Sequence, residues 1–371
     1  MKKFILFLAA LVSTVGVQAQ SHEEQGAARK GQLMLADPFI LEDDGWFYIY
    51  GTQAEDGIVV YRSRDLKHWS DRCGNARNSL ALHKDDVWGD FYFWAPEVYK
   101  IADGRYLMTY SAEEHICYAE SDSPCGPFVQ REQRPYLGEN GIDSSIFVDD
   151  DGTPYMFWVR FTAGNVIWVA EMTPDMHKVK LETARRLIDA QEGTWERIDG
   201  VVAEGPMVVR HKGKYYLTYS CNGYLSRDYA VGVAVADNVM GPYKRYEGNP
   251  ILIRHCGYYG TGHHALLRTS RGKLYIVYHA HYDHKKVHPR QTLIAPLRFR
   301  RDRSGGKNYY RLEVSDKIIV PFCTYASTYK EETLAKIVEL TPDSRHLQGF
   351  GTTGRNTGGV ESWLRTIHII R

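Results

Sequence analysis

Four ionisable side chains recur at the start of similar segments of this sequence. Asp37, Asp143, Glu204 and His263 each open a segment that indicates an apolar strand, a polar turn closing on glycine, and a second strand rich in tyrosine. Carboxyl groups that converge in surroundings of low polarity repel one another, so that one stays ionised while another keeps its proton. Such a pair can cleave a glycosidic bond, because one group protonates the leaving oxygen while the other acts at the anomeric carbon.

A fifth segment has the same layout and follows the quartet "WAPE", residues 94–97. From the opening residue to the turn glycine the spacing is nine residues for Asp143, Glu204 and His263, and eight for Asp37. A third and a fourth strand follow each copy, and the copies repeat about every fifty to sixty residues. This pattern predicts an all-β fold, a five-bladed β-propeller. Two stacked β-sandwich domains are the alternative, but they would not produce five matched hairpins.

The propeller also predicts where the opening residues lie. The first strand of each blade lines the central channel, so the residue that opens each copy is expected to point to the axis at one end of that channel. The four ionisable side chains should therefore meet at one rim. Trp94, in the second copy, is expected to offer a flat face to a sugar ring.

Composition limits the classes of partner. The 371 residues include 46 basic and 45 acidic side chains, a net charge of +1, which argues against nucleic acid as a partner and against a strongly charged substrate. The 26 tyrosines and 8 tryptophans fit a β-rich protein. Six cysteines form no Cys-x-x-Cys pair, and we interpret them mainly as small buried apolar residues, although an exported protein permits disulfides.

Residues 1–19 are expected to be a secretory signal peptide. Two lysines precede an apolar run from Phe4 to Val17, and small residues follow it. A membrane anchor is the alternative, but the run is too short to span a bilayer. We therefore expect a periplasmic or secreted protein with no membrane span, a propeller catalytic domain at residues 32–325, and a loosely ordered C-terminal extension at 326–371.

Five motifs carry a resemblance to a known family. "ADPFI" around Asp37, "WAPEV", "GIDSSIFVDDDG" around Asp143, "AEGPMV" around Glu204 and "GTGHHALL" around His263 resemble, in order and spacing, the motifs of glycoside hydrolase family 43. The resemblance covers about residues 33 to 300. It implies an inverting mechanism in which Asp37 is the general base, Glu204 is the general acid, and Asp143 raises the pKa of that acid and orients it.

The resemblance implies further contacts. His263 matches a residue near the channel centre, where a metal ion or a water lies below the sugar in family members. It implies no required cofactor, and it leaves open a calcium or sodium ion held weakly through water. His264 follows directly, so the sequence leaves open which of the two faces the axis. Arg290, in "HPRQTLIAPLRF", matches a substrate-binding arginine of the last blade.

The substrate implied by the resemblance is an oligo- or polysaccharide built from pentosides. We expect exo-acting α-L-arabinofuranosidase activity on plant polysaccharide side chains, because residues 78–93, "NSLALHKDDVWGDFYF", form an insertion that would narrow the channel into a pocket. β-D-Xylosidase and endo-α-1,5-arabinanase activities are the alternatives, and a non-enzymatic carbohydrate-binding propeller is a third. A retaining fructosidase would need an Asn-Asp-Pro motif in the first blade, which is absent. We expect a monomer.

Overall fold

The computed structural model describes residues 31–101, 103–303 and 309–323. Within those ranges every helix is a short 3₁₀ turn, all other regular structure is β-strand, and no helix is long and apolar enough to cross a membrane. The predicted signal peptide and C-terminal extension lie outside the described residues, so the domain boundaries stay predictions.

The described strands form five sheets, one for each blade, which confirms the predicted five-bladed β-propeller. Blade 1 contains β1 (Ala36–Asp43), β2 (Trp46–Thr52), β3 (Gly57–Ser63) and β4 (His68–Trp69), with β5 (Leu80–His83) beside β3; blade 2 contains β6 (Trp94–Lys100), β7 (Tyr106–Ala112) and β8 (His115–Ser121). Blade 3 contains β9 (Gly141–Val148), β10 (Pro154–Phe161), β11 (Asn165–Glu171) and β12 (Arg185–Ile188). Blade 4 contains β13 (Ala203–His211), β14 (Lys214–Cys221), β15 (Ala230–Ala236) and β16 (Lys244–Arg245), and blade 5 contains β17 (Gly262–Arg268), β18 (Leu274–Ala280), β19 (Gln291–Arg301) and β20 (Tyr310–Val314).

Short elements complete the described chain. Strand β21 (Phe322–Cys323) pairs in parallel with β4, so the last described residues add an outer strand to blade 1. This pairing ties the two ends of the propeller together. The 3₁₀ turns are Arg77–Ser79, Lys84–Asp86, Leu181–Thr183, Trp195–Arg197 and His255–Gly257.

Apolar packing between the blades holds the ring together. A separate cluster of buried apolar side chains lies between each pair of neighbouring blades. Because neighbouring blades cover both faces of a sheet, β15, the third strand of blade 4, reads "AVGVAVA" and is buried along its whole length. Full burial of one large apolar side chain stabilises the fold by about 1.5–3 kcal/mol. Five such interfaces form a rigid frame for the channel.

The first strand of every blade is interrupted near its start by one extra residue, a β-bulge. At this point the backbone is left-handed, with φ of 49° at Asp37, 45° at Ala95, 57° at Asp143, 56° at Gly205 and 38° at His263. In blades 1 and 3 the bulge residue and the residue before it, Ala36 with Asp37 and Ile142 with Asp143, line the same cavity.

The bulges correct the expected alignment of the repeats. Gly205, and not Glu204, matches Asp37, Asp143 and His263. The nine-residue spacing from Glu204 to the turn glycine was misleading, because the β13–β14 turn is as short as the β1–β2 turn. Glu204 lies one residue before its bulge and still lines the same cavity as Asp37, Asp143 and His263.

A ring of hydrogen bonds joins the bulges to neighbouring blades. In each blade the N–H of the bulge residue donates to a side chain of the preceding blade, which satisfies a buried donor that would otherwise cost about 1–3 kcal/mol. The pairs are Ala95 N to Thr52 Oγ1 (3.0 Å), Asp143 N to Ser111 Oγ (3.1 Å), Gly205 N to Asp143 Oδ2 (3.2 Å), His263 N to Ser220 Oγ (2.9 Å) and Asp37 N to His279 Nδ1 (3.2 Å).

Candidate active site

A cavity of about 860 Å³ opens at the bulge end of the channel. All six site residues named from the sequence line it, and they come from all five blades: Asp37, Trp94, Asp143, Glu204, His263 and Arg290. The three acids are almost fully buried. The fold therefore gathers carboxyl groups that are far apart in sequence into one concave site.

Asp37 is held as a carboxylate. Arg290 donates from Nη1 to Asp37 Oδ1 at 3.0 Å, and Thr52 donates from Oγ1 to Asp37 Oδ2 at 2.6 Å. His263 Nδ1 lies 3.5 Å from Asp37 Oδ1. Burial alone raises the pKa of Asp37, but the charges of Arg290 and His263 and the contact with His279 outweigh it, and the pKa falls well below its usual value. This carboxyl group is ionised at neutral pH.

The pKa of Glu204 is shifted in the opposite direction. Tyr229 donates its hydroxyl to Glu204 Oε1 at 2.7 Å, and Asn165 donates from Nδ2 to Glu204 Oε2 at 2.9 Å. Burial, followed by the negative charge of Asp143, raises the pKa of Glu204 to about 7, although His263 and the two hydrogen bonds oppose the rise. Glu204 thus keeps a proton near neutral pH that it can donate.

Asp143 links the two other acids. Its Oδ2 accepts the N–H of Gly205, the peptide that directly follows Glu204, at 3.2 Å. Its own pKa is raised to about 7 by burial and then by the charge of Asp37. Asp143 therefore holds the backbone beside Glu204 through a hydrogen bond, and its negative charge raises the pKa of Glu204.

The two adjacent histidines point to different places. His263 lines the large cavity, and its Nδ1 also lies 3.9 Å from Asp143 Oδ2. His264 is buried and bonds through Nε2 to Thr218 Oγ1 at 2.6 Å. Burial, followed by the charge of His263, lowers the pKa of His264 to about 3, so it is neutral. Of the two, His263 is the residue that faces the carboxyl groups.

Aromatic side chains continue from the cavity to the surface. Trp94 lines the cavity and stacks on Tyr92, with ring centroids 4.5 Å apart and planes inclined by 23°. Phe91 meets the edge of Tyr92, and these two side chains are 48% and 52% exposed. Across the cavity, the Arg290 guanidinium lies 4.6 Å from the ring centroid of Tyr224. The insertion that precedes Trp94 thus builds an aromatic rim on one side.

Sequence reasoning missed four residues that contact the acids: Thr52, Asn165, Tyr229 and His279. The sequence does contain a signal for Thr52 and His279. Each lies seven residues after the turn glycine of its hairpin, as Ser111 and Ser220 also do. The third blade has Val159 at that position, and there Asp143 itself accepts the neighbouring N–H. Asn165 and Tyr229 lie in other strands or loops and have no such regularity.

One group of described residues outside the cavity has ligand atoms spaced for a metal ion. The ligand atoms of His255, Cys256 and Asp316 all lie within 4.8 Å of one another. None of the three lines the cavity. In the turn between β9 and β10, Asp149 accepts the Tyr215 hydroxyl and Asp150 accepts the Arg210 guanidinium.

A propeller with three carboxyl groups at one channel end, one ionised and another with its pKa raised to about 7, defines a glycosidase-type site. The family model described as "Glycosyl hydrolases family 43" matches residues 31–304. The chain belongs to this family and is a glycosidase. Family members in general need no cofactor.

Known proteins of several specificities resemble the chain. It is 30% identical to a β-xylosidase of Xylanibacter ruminicola over 66% of this chain and 87% of the relative. It is 25% identical to the extracellular endo-α-(1→5)-L-arabinanase 2 of Bacillus subtilis over 67% of this chain and 57% of the relative. A solved endo-1,4-β-xylanase of Bacteroides thetaiotaomicron is 39% identical, with a TM-score of 0.72, over 79% of this chain and 98% of that one. Some matches span only 46% of a curated relative.

Proposed function

We propose that this protein is an exported, inverting α-L-arabinofuranosidase that removes single sugars from the side chains of plant polysaccharides. The observation that carries the proposal is that the pKa values of two acids in one cavity are shifted in opposite directions, well below normal for Asp37 and up to about 7 for Glu204. An inverting glycosidase needs one base and one acid in these states.

In the proposed mechanism Asp37 removes a proton from a water molecule, which attacks the anomeric carbon. Arg290 and Thr52 hold the Asp37 carboxylate in place, and Arg290 also contacts the sugar. Glu204 gives its proton to the leaving oxygen at the same time. Asp143 orients Glu204 through the Gly205 peptide and disfavours early loss of that proton.

The shape of the cavity supports exo action. Residues 78–93 lead into Trp94, and Phe91, Tyr92 and Trp94 form an aromatic rim on that side of the cavity. On another side of the cavity, Tyr224 lies against Arg290. A pocket walled by aromatic rings favours one terminal sugar over a long chain. Trp94 is proposed to stack on that sugar, and His263 to lie below it.

β-D-Xylosidase activity is the second candidate. The 30% identity to a β-xylosidase and the 39% identity to a xylanase structure favour xylose-containing substrates. Endo-α-1,5-arabinanase activity is a third candidate, supported by the similarity to the Bacillus subtilis arabinanase. The extracellular location named for that relative also supports export.

A panel of aryl glycosides tests the proposal. We expect the purified chain to hydrolyse the 4-nitrophenyl α-L-arabinofuranoside faster than the β-D-xyloside, with no activity on the β-D-galactoside or β-fructoside. Proton NMR of the first product should show inversion at the anomeric carbon. Faster xyloside hydrolysis would replace the first candidate by the second, and a retained configuration would exclude the roles given to Asp37 and Glu204.

A small void below the acids supports a bound water or a weakly held calcium or sodium ion near His263. The void has about 10 Å³ and is lined by Glu97, Ser144, His263 and His264, among others. Within the described part of the chain, Ser144 Oγ and His264 Nδ1 are buried without a hydrogen-bond partner. A void of this size accepts one water. We expect a chelator to reduce activity only partly, and complete loss reversed by added calcium would instead indicate an essential ion.

A further inference from the structure

We propose that Cys73 and Cys125 form a disulfide that joins blade 1 to blade 2 in the exported protein. Their Sγ atoms lie 3.4 Å apart, although the residues are 52 positions apart in sequence. Cys73 lies in the loop after β4, and Cys125 lies in the turn after β8. The proposal uses the expected export, because an oxidising compartment is where such a bond persists.

The two loops are held together independently of the cysteines. Asn75 donates its N–H to Cys125 O at 2.9 Å and its side-chain amide to Gly126 O at 2.8 Å. On the same side, Phe128 donates its N–H to Ala81 O at 2.8 Å, and Gly126 approaches the same carbonyl so closely that a Cβ would clash. Since the backbones already meet, the bond needs only small side-chain rotations to bring the sulfurs to about 2.05 Å.

The site is accessible and chemically suited to oxidation. Both side chains are half-buried, and they pack at the edge of the apolar cluster between blades 1 and 2. The hydrogen bond between the two thiols, together with the positive charge of Arg62, lowers the pKa of Cys125 although burial opposes it. Cys125 is therefore the thiolate that reacts first.

The reaction needs a disulfide oxidant, such as an oxidising periplasmic thiol–disulfide protein or oxidised glutathione. Cys125 thiolate attacks one sulfur of the oxidant, a mixed disulfide forms, and the other oxidant sulfur leaves as a thiolate. Cys73 then loses its proton and attacks Cys125 Sγ, which breaks the mixed disulfide. In total, two protons and two electrons pass from the two cysteines to the oxidant, which is reduced to thiols.

The bond would close a loop that contains the insertion and Trp94. The residues between Cys73 and Cys125 include 78–93, β6, β7 and β8. Cross-linking such a loop mainly restricts the unfolded chain. The insertion that builds one side of the cavity would thereby be fastened at its base to both blades.

Thiol counting and peptide mapping test the proposal on the full chain. The purified protein is incubated with oxidised glutathione, alkylated in denaturant, digested and analysed by mass spectrometry, and protein exported with its own leader is treated in parallel. We expect a Cys73–Cys125 peptide and four of the six cysteines alkylated. Six alkylated cysteines after oxidation in vitro, or a bond to another cysteine, would overturn the proposal. If the bond forms in vitro but is absent from the exported sample, the proposal that the exported protein contains this disulfide is wrong.

Matched variants separate this bond from general effects of cysteine loss. Reduction should lower the melting temperature of the wild type by about 5 °C and leave that of a Cys73→Ser/Cys125→Ser variant unchanged. A Cys256→Ser/Cys323→Ser variant changes two other half-buried cysteines and should keep both the linked peptide and the reduction-dependent shift. Equal melting temperatures for oxidised and reduced wild type would contradict the stabilising role.

Discussion

Replacement of Asp143 by Asn should move the alkaline limb of the pH–activity curve to lower pH. Above its own pKa of about 7, Asp143 is ionised, and its charge is the second cause, after burial, of the raised pKa of Glu204. The substitution keeps the shape and an oxygen for the Gly205 N–H, but it removes the charge. Burial remains, so we expect the Glu204 pKa to fall from about 7 by about one unit.

The expected loss of activity follows from that shift. With a pKa near 7 Glu204 is about half protonated at pH 7, whereas with a pKa near 6 it is about 9% protonated, which lowers the rate about fivefold. Poorer orientation of the acid should bring the total fall in kcat to the order of 10²-fold. The alkaline limb must move to lower pH, because a group with a lowered pKa loses its proton at a lower pH.

The assay is the pH dependence of kcat/KM on an aryl arabinofuranoside. Asp150→Asn is the matched control, because Asp150 lies in the exposed turn at the far end of the same hairpin and is 80% exposed. It should leave both limbs in place. If the alkaline limb of Asp143→Asn is unchanged or lies at higher pH, Asp143 is not the residue that raises the pKa of Glu204.

Four further substitutions test the site. Glu204→Ala should be slow on natural linkages but recover on an activated aryl leaving group, whereas Asp37→Ala should not recover, and equal recovery of both would remove the acid and base assignments. Tyr229→Phe removes a hydrogen bond that lowers the pKa of Glu204, so the alkaline limb should rise by about half a pH unit, opposite to Asp143→Asn. Trp94→Ala should raise KM about two- to tenfold with little change in kcat, because ring stacking is worth about 0.5–1.5 kcal/mol. An unchanged KM would show that Trp94 does not bind the sugar.

Much of the fold was accessible from sequence because its signals are local. Alternation of apolar residues, a glycine that closes each hairpin, and recurrence along the chain are properties of neighbouring residues. They were sufficient for the number of blades and for the end of the channel at which Asp37, Asp143, Glu204 and His263 meet. The roles of these residues came from the resemblance and stay predictions.

The register of the strands could not be predicted from the sequence. In blade 4 the acid lies one residue before the bulge residue, and the hairpin turn is one residue shorter than in blades 3 and 5. These two differences cancelled in the spacing and hid the offset of Glu204. The choice between His263 and His264 depended on the same single-residue register. Only the pairing of strands shows which side chain points inward.

The sequence by itself determined the elements and the set of acids, whereas the tertiary structure decided their electrostatic states and their partners. Arg290 reaches Asp37 across 253 positions, and Cys73 meets Cys125 across 52. The first pair forms only when the ring closes and brings blades 1 and 5 side by side, and the second only when blades 1 and 2 pack together. A pKa depends on burial and on charges within a few ångströms, and these distances do not exist until the chain has folded.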